Sequence, residues 1–142
     1  ARGVAMLRQI RICGDLEARA DRLWQEVGGS SLWIGSHFRA TDHAKCLARY
    51  PVTQLIDDMT NAAVTGGHKV FLVTDDLKVK ADMIDQFGAV TVNIPVGRSS
   101  PEQQKCGVIE WLLLQKCGSI MGCRLSSYAV MAARRSGSKT LF

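Results

Sequence analysis

Val70-Phe71-Leu72-Val73-Thr74-Asp75-Asp76 is the stretch from which the architecture unfolds. Four consecutive apolar residues, rich in β-branched and aromatic types, read as a strand buried on both faces, and such strands belong to parallel sheets. The run stops in a polar Thr-Asp-Asp, and Asp75 or Asp76 is placed to cap a helix over Leu77 to Phe87 that Gly88 closes. A buried strand passing directly into a helix is the opening of a βαβ unit, so the flanking sequence should repeat the alternation.

It does, in both directions. Toward the N-terminus, Pro51 is expected to open a helix that carries Val52, Leu55, Ile56, Met59 and Ala63 on one face and stops at Gly66-Gly67. Before it, Arg39 to Arg49 reads as a polar loop and Leu32 to Phe38 as a buried strand. A leading helical segment within residues 1–30 sets Leu16, Ala20, Leu23, Trp24 and Val27 at helical spacing. Toward the C-terminus, Ala89 to Ile94 is a third strand and Pro95 to Pro101 a loop. An apolar helix follows from about Gln104 to Lys116, then a fourth strand over Ser119 to Gly122. A helix from Ser126 ends at Gly137, and a last strand covers Lys139 to Phe142. Strands and helices that alternate in this way imply right-handed crossovers and a Rossmann-like three-layer α/β domain with a parallel sheet, spanning residues 1–142 with 31–142 as its core.

Composition narrows the function classes. The 142 residues include 46% hydrophobic and 22% charged types, which excludes disorder and low-complexity chains. No apolar run approaches the ~20 residues of a membrane helix. The net charge of +5 suits an anionic partner, but the basic residues are scattered, with Arg134, Arg135 and Lys139 the densest group. Aromatics are only 6%, which argues against a nucleic-acid stacking surface. Five cysteines without a C-x-x-C pair argue against zinc and read as small hydrophobes, favouring a reducing compartment while leaving one lumenal disulfide open. The chain opens with Ala1-Arg2-Gly3 and no signal peptide, as expected of a processed product or a piece of a longer protein.

A doubly wound sheet binds its ligand beyond the carboxyl ends of the strands. Three polar clusters meet that condition: His37, Arg39, Thr41 and Asp42; Thr74, Asp75 and Asp76; and Arg124, Ser126 and Ser127. Arg39 offers a permanently charged fork for a diphosphate, oriented by Asp42, and the helix starting at Ser126 offers free N–H groups to a phosphate. His37 can hydrogen-bond a base or a phosphate. Each group also has a plainer use: the aspartates and serines as helix caps, His37 as a satisfied structural histidine. Glu110, set in an otherwise apolar helix, must be exposed at an edge or paired. Neither G-x-G-x-x-G nor a P-loop nor G-x-S-x-G occurs, which argues against dinucleotide dehydrogenases, P-loop NTPases and elbow hydrolases.

At these residues the sequence resembles a known family. Ile34 to Asp42, with His37, Arg39 and Asp42, resembles the H-x-R-R-x-D motif of the α1,6-fucosyltransferases and the rhizobial nodulation fucosyltransferases. Val70 to Asp76 resembles their apolar strand ending in T-D-D. Gly107 to Gly122 followed by Ser126-Ser127-Tyr128 resembles their third motif. The resemblance covers residues 32 to 137. It implies the C-terminal, donor-binding half of a GT-B glycosyltransferase that uses GDP-fucose as donor substrate, inverts the anomeric centre and needs neither metal nor cofactor. By position, Arg39 would hold the β-phosphate with Ser126 or Ser127 beside it. His37 and Glu110 would lie near the guanosine, and Asp75 and Asp76 would support the motif loops and sugar pocket. The acceptor would be a glycan or a protein, bound with the help of a second domain or subunit. A bacterial-type member would be cytoplasmic and a eukaryotic-type member would lie in the Golgi lumen.

Two departures stand out. Ala40 replaces the second arginine of the motif, and the loop after Asp42 carries no carboxylate to act as base, leaving His43 as the substitute. Three readings follow: an active fucosyltransferase-like enzyme, a catalytically degenerate relative serving as a binding or scaffold subunit, and an unrelated Rossmann-like domain for another anion.

Overall fold

The computed structural model describes residues 12–40 and 44–142. Helix α1 (Gly14–Glu26) leads into β1 (Ile34–Phe38), followed by a short α2 (Ala44–Arg49) and α3 (Val52–Met59), which continues as a π-helical turn over Thr60–Thr65. Strand β2 (Val70–Thr74) and α4 (Leu77–Phe87) follow, then α5 (Pro101–Leu114), β3 (Ser119–Gly122), α6 (Ser127–Ser136) and β4 (Lys139–Thr140). The strands form one parallel sheet in the order β2-β1-β3-β4. Among the described residues, no helix is long and apolar enough to cross a membrane.

The period of two along the strands divides the core between the two faces of the sheet. Val70 and Leu72 pack with Ile34, Phe38 and Met121 against Leu55 and Met59 of α3 and Met83 of α4. Phe71 and Val73 face the other way, with Ile120, onto Ile109 and Leu113 of α5, Ala20 of α1 and Ala129 of α6. All of β1 and β2 is buried, as the apolar runs require. Four of the five cysteines lie buried as free thiols and only Cys13 is exposed, in keeping with their use as small hydrophobes.

The expected third strand over Ala89 to Ile94 shrinks to a single parallel bridge, Val90 to Phe71, on the outer side of β2. Further pairing fails because the carbonyl of Val92 accepts from Lys80 Nζ at 3.0 Å, and Pro95 then ends the segment. Even so, the bridge shows the direction of winding. The chain moves outward from β1 through β2 to Val90, then returns to the opposite side of β1 to lay down β3. The sheet therefore reverses between β1 and β3, the place where doubly wound folds open a crevice.

Other boundaries differ from the sequence reading. The supposed loop from Arg39 to Arg49 contains α2, a helix with only Cys46 buried and too short to show a period. Pro51 is the N-cap of α3 and not its first residue. Helix α5 begins at Pro101 and not near Gln104, because Ser100 Oγ accepts from the Gln103 N–H and proline tolerates the first position. Its opening turn is polar, so apolar spacing alone could not reveal it.

Candidate functional site

The crevice between β1 and β3 is built on close backbone approach. A Cβ on Gly122, the last residue of β3, would lie 2.8 Å from the His37 carbonyl oxygen, so only glycine lets the two strand ends meet. His37 points its ring toward the α5 and α6 side of the sheet. Its Nδ1 lies 3.2 Å from Ser126 Oγ and its ring packs on Tyr128 with centroids 4.6 Å apart. Burial, helped by the neighbouring Arg39 charge, lowers its pKa to about 4, so the imidazole is neutral at pH 7. Ser126 occupies the cap position of α6 but caps nothing with its side chain, which is committed to His37.

A cavity of about 310 Å³ opens over these strand ends. His37 and Arg39 line it from β1, Thr74 and Asp75 from β2, Glu110 and Gly107 from α5, and Tyr128 from α6. Arg39 is half-buried there. Asp75 Oδ1 accepts from the Ala40 N–H at 3.0 Å and so ties the segment after β1 to the end of β2. Ala40 itself packs against the apolar cluster on the far face of the sheet.

Glu110 is the anomaly of the site. It is 5% exposed, and among the described residues its Oε2 has no hydrogen-bond partner. The sequence expectation that it is exposed or paired is corrected: the side chain is buried at the cavity wall, and no described residue hydrogen-bonds its Oε2. Desolvation raises its pKa to about 7, offset only in part by the Lys80 charge. An orphaned buried carboxyl of this kind is costly in a fold that satisfies nearly all its buried polar atoms.

Not every expected residue reaches the cavity. Asp76 is the N-cap of α4, accepting from the N–H groups of Lys78 and Val79. Ser127, the first residue of α6, and Arg124 are exposed and do not line it. Thr41, Asp42 and His43 lie outside the described residues. Conversely, the sequence reading missed Arg98, which lines the cavity from the loop before α5. Gln103 shapes that loop: its Oε1 accepts from the N–H and Oγ of Ser99, and its Nε2 donates to the Val96 carbonyl. Tyr128 was also missed as a wall residue; its hydroxyl donates to the Gly107 carbonyl at 2.5 Å. A second, largely apolar cavity of about 470 Å³ adjoins, walled by Trp111, Val108 and Ile12 and sharing Gly97, Arg98, Gly107 and Tyr128 with the first.

This arrangement can be set against known proteins. No family model matches the chain, and no curated protein matches its sequence. Solved structures do. The nodulation α-1,6-fucosyltransferase NodZ co-crystallised with GDP superposes over 88% of this chain with a TM-score of 0.64 and 25% identity. In fold, the chain is similar to one half of a fucosyltransferase. NodZ soaked with GDP-fucose gives a TM-score of 0.63 and 24% identity over 89% of the chain. POFUT1 in complex with GDP superposes over 99% at a TM-score of 0.66 but only 9% identity, a likeness of fold alone. The chain spans 42% to 49% of the length of these structures, so it corresponds to a half-domain of each. The Rossmann-like half of a GT-B architecture expected from the three sequence motifs is thus the fold that these neighbours share.

Proposed function

We propose that the chain is the donor-binding domain of a glycosyltransferase that uses a GDP-sugar, with GDP-fucose the leading donor. One observation carries the reading: Glu110, a buried carboxyl whose Oε2 has no hydrogen-bond partner among the described residues, lines the same cavity as Arg39, at the reversal point of the sheet. Guanine presents adjacent N–H donors on one edge, including its exocyclic amino group, and an acceptor-only carboxylate is their natural partner. A guanidinium fork matches the diphosphate at the other end of the same ligand. That NodZ and POFUT1 are solved with GDP, and NodZ with GDP-fucose, supports this assignment of chemistry.

The residues then divide the work. Arg39 holds the leaving diphosphate, and Arg98 adds a second cation from the loop before α5. The dipole at the start of α6 contributes positive potential near His37. Charge that develops on the diphosphate as the glycosidic bond breaks is met by groups already in place, which is where such catalysis gains most. His37 serves as a neutral hydrogen-bonding group, and Asp75 positions the Arg39 segment. His43 is the group assigned to accept the proton of the glycan or protein acceptor, which a second domain or subunit presents. No metal or cofactor enters this scheme.

Arg39→Ala is expected to abolish measurable GDP binding by calorimetry, while wild-type thermal stability rises selectively with GDP and GDP-fucose over UDP and ADP. Unchanged GDP affinity in the variant would dispose of the proposal. A second reading, a degenerate relative that binds the nucleotide without transfer, is favoured by the segment after Asp42, which carries no carboxylate to act as base. Hydrolysis of GDP-fucose by the protein would count against it.

A further inference from the structure

Gly107 is the seventh of the fourteen residues of α5, an interior position where glycine is the least favourable ordinary residue after proline. Packing among the described residues does not call for it: a Cβ built there meets none of them within 4 Å, and its φ is not in the left-handed region. Gly107 borders open space on both sides, lining the cavity of about 310 Å³ and the adjoining, largely apolar one of about 470 Å³. The backbone is held in place, its carbonyl accepting from the Tyr128 hydroxyl. Glu110 lies three residues on, hence on the same helix face, so a group lying over Gly107 is within a turn of the orphaned carboxyl.

We infer that Gly107 is a specificity-determining position: lacking a side chain, it leaves the two cavities open to each other so that a two-ring purine base can lie across α5. The inference rests on the nucleotide-sugar reading and deepens it. The cavity of about 310 Å³ alone is at the lower end of the roughly 300 to 1,000 Å³ typical of ligand sites, enough for the diphosphate end of the ligand with a one-ring base. A purine needs the additional room, and the apolar walls at Trp111 and Val108 suit its flat ring. Any side chain at 107 narrows the passage and favours smaller bases.

The test compares wild type, Gly107→Ala and Gly107→Val by calorimetry with GDP and with UDP, alongside thermal melts without ligand. Alanine restores helix propensity, so the midpoint of Gly107→Ala should rise by about 3 °C, confirming that the variant folds. GDP affinity should fall about tenfold in Gly107→Ala and further in Gly107→Val, with UDP affinity changed less than about threefold, since misfit of one or a few methyl groups is worth that much. An unchanged ratio of GDP to UDP affinity in both variants, with wild type binding GDP, overturns this inference and leaves the nucleotide-sugar reading standing. A wild-type chain that binds neither nucleotide overturns both.

Discussion

Replacing Glu110 by glutamine tests the electrostatics of the site without any ligand. The carboxyl titrates at the ordinary 4.5 when solvated and at about 7 in the fold. Between those values the unfolded chain has released its proton while the folded chain keeps it. The unfolded state then binds fewer protons, so stability falls as pH rises, by about 1.4 kcal/mol per pH unit. Over the whole interval the wild type loses about 3 kcal/mol that Glu110→Gln keeps, glutamine having nothing to ionise. His37 works in the opposite sense. Its pKa drops from 6.5 to about 4, so between those values the unfolded state binds the extra proton and stability rises with pH. The two slopes oppose each other over their shared window, and the wild-type profile should be nearly flat from pH 4.5 to 6.5. Urea unfolding at half-unit steps from pH 4 to 8 reads both effects. The stability difference between Glu110→Gln and wild type should open by about 3 kcal/mol between pH 4.5 and 7 and then level off. Two parallel profiles, offset by a constant, would show that Glu110 is ionised and solvated like any surface carboxylate, and the account of the site would fail with it.

Two further substitutions separate structural from ligand-facing roles at the strand ends. Asp76→Ala removes the acceptor for two N–H groups of α4 and should cost about 1 kcal/mol in urea unfolding, with GDP affinity unchanged because the side chain is outside the cavity. Ser126→Ala leaves the buried His37 Nδ1 without its partner and should cost about 1 to 3 kcal/mol; an unchanged midpoint would show that the contact is incidental.

The fold was legible wherever burial wrote a period into the chain. Val70 to Val73 reads as a strand because neighbours on both faces require an apolar residue at every position, and the caps at Asp76, Gly88 and Gly137 are written by single residues with a fixed geometric use. Two of the failures share a cause. The segment after Gly88 has the composition of a strand, but a lysine from α4 takes a carbonyl that a neighbouring strand would have used. The first turn of α5 is polar and is specified by the Ser100 cap and Pro101, signals that apolar spacing does not register. In both places a contact between a side chain and the backbone overrode the pattern.

The site divides along the same line. Residues at or just beyond the end of a strand, His37, Arg39 and Asp75, could be picked out because parallel topology sends all strand ends to one edge, whatever else the chain does. Arg98 and Tyr128 could not, since one is held by a loop folded around Gln103 and the other by a helix register, and both depend on packing that arises only in three dimensions. Glu110 lies between these cases. Its sequence context announced a conflict, a carboxyl within an apolar helix, but the expected resolution, exposure or pairing, was the one that a structural role would demand. The fold leaves the conflict standing: a buried acid without a partner on α5, and across the same cavity a buried histidine that stays neutral. Packing gives no reason to keep the acid there, because an apolar side chain of similar size would fill the space without the desolvation cost. Such a cost persists where a ligand is to be received, and a ligand that brings donors to Glu110 and negative charge to Arg39 is the one that would relieve it.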